Sequence, residues 1–119
     1  TVLVVEDEEY IRSLITKYLS RYGYHIIEAP NAGEAILICE ETQDPINLIV
    51  TDVILPHING RKLYERLKGV LPSLKVLFIS GYPQKILLEK GLLTHGASFL
   101  QKPFDFELFL QKVRKILDS

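Results

Sequence analysis

Leu48-Ile49-Val50-Thr51-Asp52-Val53-Ile54-Leu55 is an apolar, β-branched run interrupted by one carboxylate. Its composition reads as a buried strand over Leu48–Thr51, with Asp52 at the carboxyl end. A carboxylate set in such a run is costly unless it has a partner or a task. Similar short runs flank it: Val2–Val5 and Tyr24–Glu28 before, Val76–Ile79 and Ser98–Leu100 after. Helical periodicity fills the spaces between. Ile11, Leu14, Ile15, Tyr18, Leu19 and Tyr22 recur at spacings of three and four, and Gly23 follows as a stop. Asn31-Ala32-Gly33-Glu34 opens a second helix in the manner of a capping box, with Ala32, Ala35, Ile36 and Cys39 as its apolar face. A third runs from about Gly60 to Gly69, with Leu63 and Leu67 four apart. A fourth follows Pro83, at a first helical position, and ends near Gly91. The last begins at the N-cap Asp105 and buries Phe109, Val113, Ile116 and Leu117.

Strand then helix, five times, predicts an α/β fold with a parallel sheet covered on both faces. Right-handed crossovers prune the topologies. The expected solution is the flavodoxin-like doubly wound sheet in the order 2-1-3-4-5 with five helices. A dinucleotide-binding half needs glycines after the first strand, and the turn here reads Val5-Glu6-Asp7-Glu8-Glu9. The 119 residues fit one domain spanning 1–119, and a 47% hydrophobic, 24% charged composition can bury a core. A net charge of −1 gives no electrostatic case for nucleic acid or for a membrane surface. There is no apolar run of membrane-spanning length and no signal peptide. A single cysteine, Cys39, excludes an internal disulfide framework. The chain lacks methionine, and Thr1 opens directly into the first strand. The expectation is therefore a cytoplasmic module excised from a longer protein, with membrane anchoring of the parent left open.

In open α/β sheets, ligands bind beyond the carboxyl ends of the strands, where the strand order reverses. The residues there are Glu6 and Asp7 after the first strand, Asp52 after the third, Ser80 after the fourth, and Lys102 and Pro103 after the fifth. Strands one and three are neighbours, so Glu6, Asp7 and Asp52 should share one crevice. Like charges about 4 Å apart repel by roughly 4 kcal/mol at an effective dielectric near 20. Lys102 alone does not offset three carboxylates, and a divalent cation is the simplest remedy. All-oxygen ligands with room for water suit Mg2+. Such an ion would hold a phosphoryl group against Asp52, with Ser80 and Lys102 on the remaining phosphoryl oxygens. The implied chemistry is phosphoryl transfer to a carboxylate, with no general base because the carboxylate is already ionised. Taken singly, Glu6-Asp7 is an ordinary helix start, Ser80-Gly81 a turn and Lys102 a solvated strand end. Their joint placement carries the reading.

These residues resemble the receiver domain of two-component response regulators, over essentially the whole chain. The resemblance implies a phospho-acceptor that takes its phosphoryl group from a phosphohistidine and requires Mg2+. It makes Asp52 the phosphorylated residue, Asp7 a direct metal ligand, Glu6 its largely water-mediated neighbour, and the backbone carbonyl of Ile54 a further ligand. Ser80 matches the hydroxyl that turns toward the phosphoryl group, and Lys102 the lysine that pairs with it. Pro103 would follow a cis peptide bond, and Phe99 falls at the switch aromatic, where plain core packing is the alternative. Glu6 departs from the commoner Asp, Ser80 from Thr, and Phe99 from Tyr.

The segments Thr51–Pro56, Ile79–Tyr82 and Phe99–Phe104 look like receivers of hybrid sensor histidine kinases. A single-domain regulator and a phosphate-independent module of the same fold are the alternatives. Implied partners are a histidine kinase or a histidine phosphotransfer domain, docking on the first helix near Ile11. A homodimer is left open, and neither nucleic acid nor membrane is expected to contact the domain. Phosphotransfer would be self-catalysed, with slow autodephosphorylation. The face of helix four, strand five and helix five would report the switch. Leu92 and Leu93 either continue helix four as an exposed partner face or pack in the loop after Gly91. A dehalogenase-type phosphohydrolase needs a second Asp two residues after the nucleophile, where this chain has Ile54. His25, His57 and His95 lack metal-ligand spacing.

Overall fold

The computed structural model describes residues 1–43 and 45–119. Ten elements alternate along the chain. They are β1 (Val2–Val5), α1 (Glu9–Ser20), β2 (Ile26–Ala29), α2 (Ala32–Glu41), β3 (Leu48–Asp52), α3 (Gly60–Val70), β4 (Lys75–Ser80), α4 (Gln84–Glu89), β5 (Phe99–Gln101) and α5 (Phe106–Leu117). The five strands form one parallel sheet in the order β2-β1-β3-β4-β5, as the sequence predicts.

Side chains alternate across a strand, so each strand feeds two cores. Leu3, Val5 and Ile49 point to the side covered by α2 and α3, where Ala32, Ala35, Cys39, Leu63 and Leu67 meet them. Val2, Val4, Leu48 and Val50 point to the other side, against Ile15 and Leu19 of α1 and Phe109 and Val113 of α5. Both faces being covered explains why β1 is continuously apolar rather than alternating. A third cluster, Val53, Phe78, Leu87, Leu93 and Phe99, lies under α4. Asn31 caps α2, Asn59 caps α3 and Asp105 caps α5, each accepting from a backbone N–H one turn in.

The structure corrects several boundaries. β3 and β4 each run one residue further than the apolar pattern suggests: Asp52 ends β3, where the sequence reading puts it, and Ser80 is the last residue of β4. The Asp52↔Ile79 pair completes the ladder, since backbone pairing ignores side-chain polarity. β2 starts at Ile26, β5 is Phe99–Gln101, and Pro83 is the N-cap of α4 rather than its first residue. α4 stops at Glu89, and Gly91 takes a φ of 71°, a left-handed turn that glycine adopts without steric cost. Leu93 is then buried and Leu92 half-buried beneath α4, so the loop-packing alternative holds and there is no continued exposed face. Tyr22, expected on the apolar stripe of α1, lies past its end and is exposed. Among the described residues, no helix is long and apolar enough to cross a membrane.

Candidate functional site

The carboxyl ends of β1, β3 and β5 converge on one acidic pocket. Glu6 and Asp52 are buried and Asp7 is exposed, and each offers a carboxylate oxygen within 4.8 Å of the others. The adjacency of β1 and β3 produces this meeting, as expected from the strand order. Lys102, one residue past β5, points into it. Its Nζ lies 2.9 Å from Glu6 Oε2 and 2.6 Å from Asp52 Oδ1. The Lys102–Pro103 bond is cis, in agreement with the resemblance.

Two backbone features hold Asp52 in place. The Lys102 N–H donates to the Ser80 carbonyl at 2.7 Å, tying β5 to the end of β4. Gly60, at the start of α3, sits directly on the Asp52 peptide: a Cβ there would lie 2.1 Å from the Asp52 carbonyl oxygen. Only glycine fits, and its N–H donates to Val53 O at 2.7 Å. Ser80 is buried, and its Oγ accepts from the Tyr82 N–H at 3.1 Å. That bond occupies an acceptor site and leaves the hydroxyl hydrogen free to donate. Ile54 lies two residues beyond Asp52 with an exposed side chain. Phe99 is buried against Phe78, Leu87 and Leu93, so it packs inward.

Electrostatics in the pocket are tightly linked. Burial disfavours the charged form of Asp52, and the neighbouring Glu6 carboxylate adds to this, pushing its pKa up to about 8 despite Lys102. Burial also works to raise Glu6, but the Asp52 side chain and the Lys102 ammonium outweigh it and leave Glu6 below its ordinary value. Burial works against the Lys102 charge, and the two carboxylates overcome it, raising Lys102. Burial and Glu6 thus oppose the ionisation of Asp52, and Lys102 favours it.

The pocket fits a small hard cation. Asp52 Oδ2 is buried and has no hydrogen-bond partner. An orphaned carboxylate oxygen among three acidic side chains needs a positive ligand, and an all-oxygen donor set open to water through Asp7 suits Mg2+.

Sequence reading missed Arg12. Its Nη1 donates to the Glu6 carbonyl at 2.8 Å, and its Nε pairs with Glu28 Oε1 at 3.1 Å. Nothing local marks it, because Glu28 is on a neighbouring strand and the other acceptor is backbone. Beside Lys102, a cavity of about 380 Å3 is lined by Tyr10, Ile11, Leu14, Pro103, Phe104 and Phe106. Ile11 packs against the core and also lines this cavity.

Comparison with known proteins agrees with this geometry. A family model described as response regulator receiver domain matches residues 2–114. Sensor kinase CckA of Brucella abortus (strain 2308) is 32% identical over 119 residues, a match covering all of this chain and 13% of the kinase. The response regulator receiver protein CpdR of the same organism is 29% identical over 116 residues, covering 98% of this chain and 95% of CpdR. A crystal structure of the receiver domain from hybrid histidine kinase CckA is similar at a TM-score of 0.81 and 36% identity, covering 98% of this chain and 97% of that one.

Proposed function

The chain belongs to the response regulator receiver domain family of two-component signalling, and from that premise we propose that Asp52 accepts a phosphoryl group from a phosphohistidine in a pocket that binds Mg2+. One observation carries the reading. Asp52 is buried between Glu6 and Lys102, and its second oxygen lacks any partner. A merely structural aspartate would have that oxygen satisfied.

Glu6, Asp7, Asp52 and the Ile54 carbonyl would hold the ion. Bound Mg2+ supplies charge neutralisation to the phosphoryl oxygens and favours the ionised form of Asp52. An Asp52 carboxylate oxygen forms the new bond to phosphorus while the bond from phosphorus to the donor imidazole nitrogen breaks, its electron pair staying on the imidazole. Lys102, released from Asp52 Oδ1, pairs with a phosphoryl oxygen. Ser80 donates its free hydroxyl hydrogen to another. Movement of Ser80 at the end of β4 would open the packing around Phe99, which sits across the β4–β5 pair at Phe78. The face formed by α4, β5 and α5 would then read the change.

Receiver domains work with histidine kinases or phosphotransfer proteins. For this chain, the apolar cavity of α1 and the β5–α5 loop would seat the donor helix beside Lys102. The 119 residues would form one receiver domain of a hybrid histidine kinase, a reading supported by the CckA receiver and set against the single-domain form of CpdR.

The test is direct. Incubation with a small-molecule phosphodonor and Mg2+ should add one phosphoryl group by intact mass, and chelation of Mg2+ or the Asp52→Asn substitution should abolish it. Labelling that persists in Asp52→Asn would overturn the assignment.

A further inference from the structure

The acidic pocket depends on the turn between β1 and α1, and that turn is weakly secured by its own residues. The N-cap position of α1, Glu8, makes no side-chain capping bond. Within the turn, the Glu8 N–H reaches Glu6 Oε1 only at 3.2 Å. The Glu6 N–H donates to Ala29 O, which fixes one side of the residue. Its other side, the carbonyl that leads into Asp7, is held by the Arg12 guanidinium at 2.8 Å. Arg12 is in turn oriented by Glu28, which faces Val4 in the β1–β2 register.

We propose that Arg12 is a positioning residue for the metal pocket: it clamps the Glu6–Asp7 peptide from behind, with Glu28 as its anchor, so that both carboxylates are aimed before the cation arrives. The inference rests on the Mg2+ reading given above. Two bonds from one planar guanidinium fix orientation as well as distance, which a lysine ammonium does not reproduce. Supporting groups that orient metal ligands commonly contribute about ten- to a hundredfold in affinity.

The experiment is an Mg2+ titration of the wild type, Arg12→Ala, Arg12→Lys and Glu28→Gln by calorimetry, with amide NMR following residues 6 and 7. Arg12→Ala should weaken Mg2+ binding by about tenfold, and Arg12→Lys by nearly as much. Glu28→Gln should weaken it by a smaller factor. The amides of Glu6 and Asp7 should be displaced in the metal-free variants and converge on wild-type positions at saturating Mg2+. That convergence separates lost aiming from damaged folding. If Arg12→Ala does not fold, Arg12→Lys and Glu28→Gln carry the comparison. Wild-type affinity in the folded Arg12 variants, with the wild type binding normally, overturns the positioning role alone. A wild type that takes up no Mg2+ overturns the metal reading and this role together.

Discussion

Lys102 serves two buried carboxylates at once, at 2.9 Å from Glu6 and 2.6 Å from Asp52. The Asp52 pKa is pushed from an ordinary 3.8 up to about 8 through burial and the neighbouring Glu6. Between those values the folded protein binds more protons than the unfolded chain. The contribution of Asp52 to stability is therefore full below its unfolded pKa and is lost as pH rises through the folded one. Glu6 acts in the opposite sense and at lower pH: its contribution is present above an ordinary 4.5 and is lost as pH falls through its lowered value. Metal-free protein in chelator should thus unfold at lower temperature as pH rises from about 5 toward 8, and Asp52→Asn should flatten that trend. Equal slopes in the two proteins would contradict the raised pKa of Asp52. Because Mg2+ binding competes with protonation of Asp52, its affinity should rise with pH across the same window, as calorimetry can follow. Lys102→Ala should still accept a phosphoryl group, but the phosphorylated form should lack the resonance changes around Phe99 that the wild type shows. A full response in that variant would remove Lys102 from the switch.

At the level of elements, the pocket depends on where helices begin and strands end. α3 starts against the Asp52 peptide, with Gly60 in contact and Asn59 as its cap. Gly60→Ala should destabilise the domain by about 1–3 kcal/mol, because backbone must move to admit the methyl group. The same substitution should weaken Mg2+ binding by displacing Asp52; chemical denaturation and calorimetry measure the two effects, and an unchanged denaturation midpoint would contradict the close packing. Asn59→Ala should cost about 1 kcal/mol through the lost bond to the Lys62 N–H, without the effect on Mg2+. The helix starts were legible because Asn31, Asn59 and Asp105 cap through local bonds, although Asn59 lay outside the Gly60–Gly69 pattern that flagged α3. Strand ends were less legible. The Asp52 and Ser80 side chains are polar, yet their backbones stay in the ladder. Arg12 was not legible, since its partners are a carbonyl and a residue that only the β1–β2 pairing brings near.

Across the whole molecule, two apolar layers hold the sheet rigid while its carboxyl edge carries the charge. The continuous burial of β1 and β3 made the parallel sheet readable from composition, and adjacency of these two strands made the acidic cluster readable from topology. What composition did not carry was the electrostatic setting of Asp52, which follows from burial depth and from Lys102 reaching both acids. Phe109 is fully buried in the layer under α1 and α5, so Phe109→Ala should cost about 3–5 kcal/mol and lower the denaturation midpoint without altering which residue is labelled. The central claim is that this scaffold makes one carboxylate phosphorylatable. The most direct measurement treats the protein with a phosphodonor and Mg2+, reduces the acyl phosphate with borohydride, and maps the resulting homoserine by peptide mass spectrometry. Homoserine at position 52 alone is the predicted result. Reduction at Asp7 or Glu6 instead, or none anywhere in protein that binds Mg2+, would contradict it.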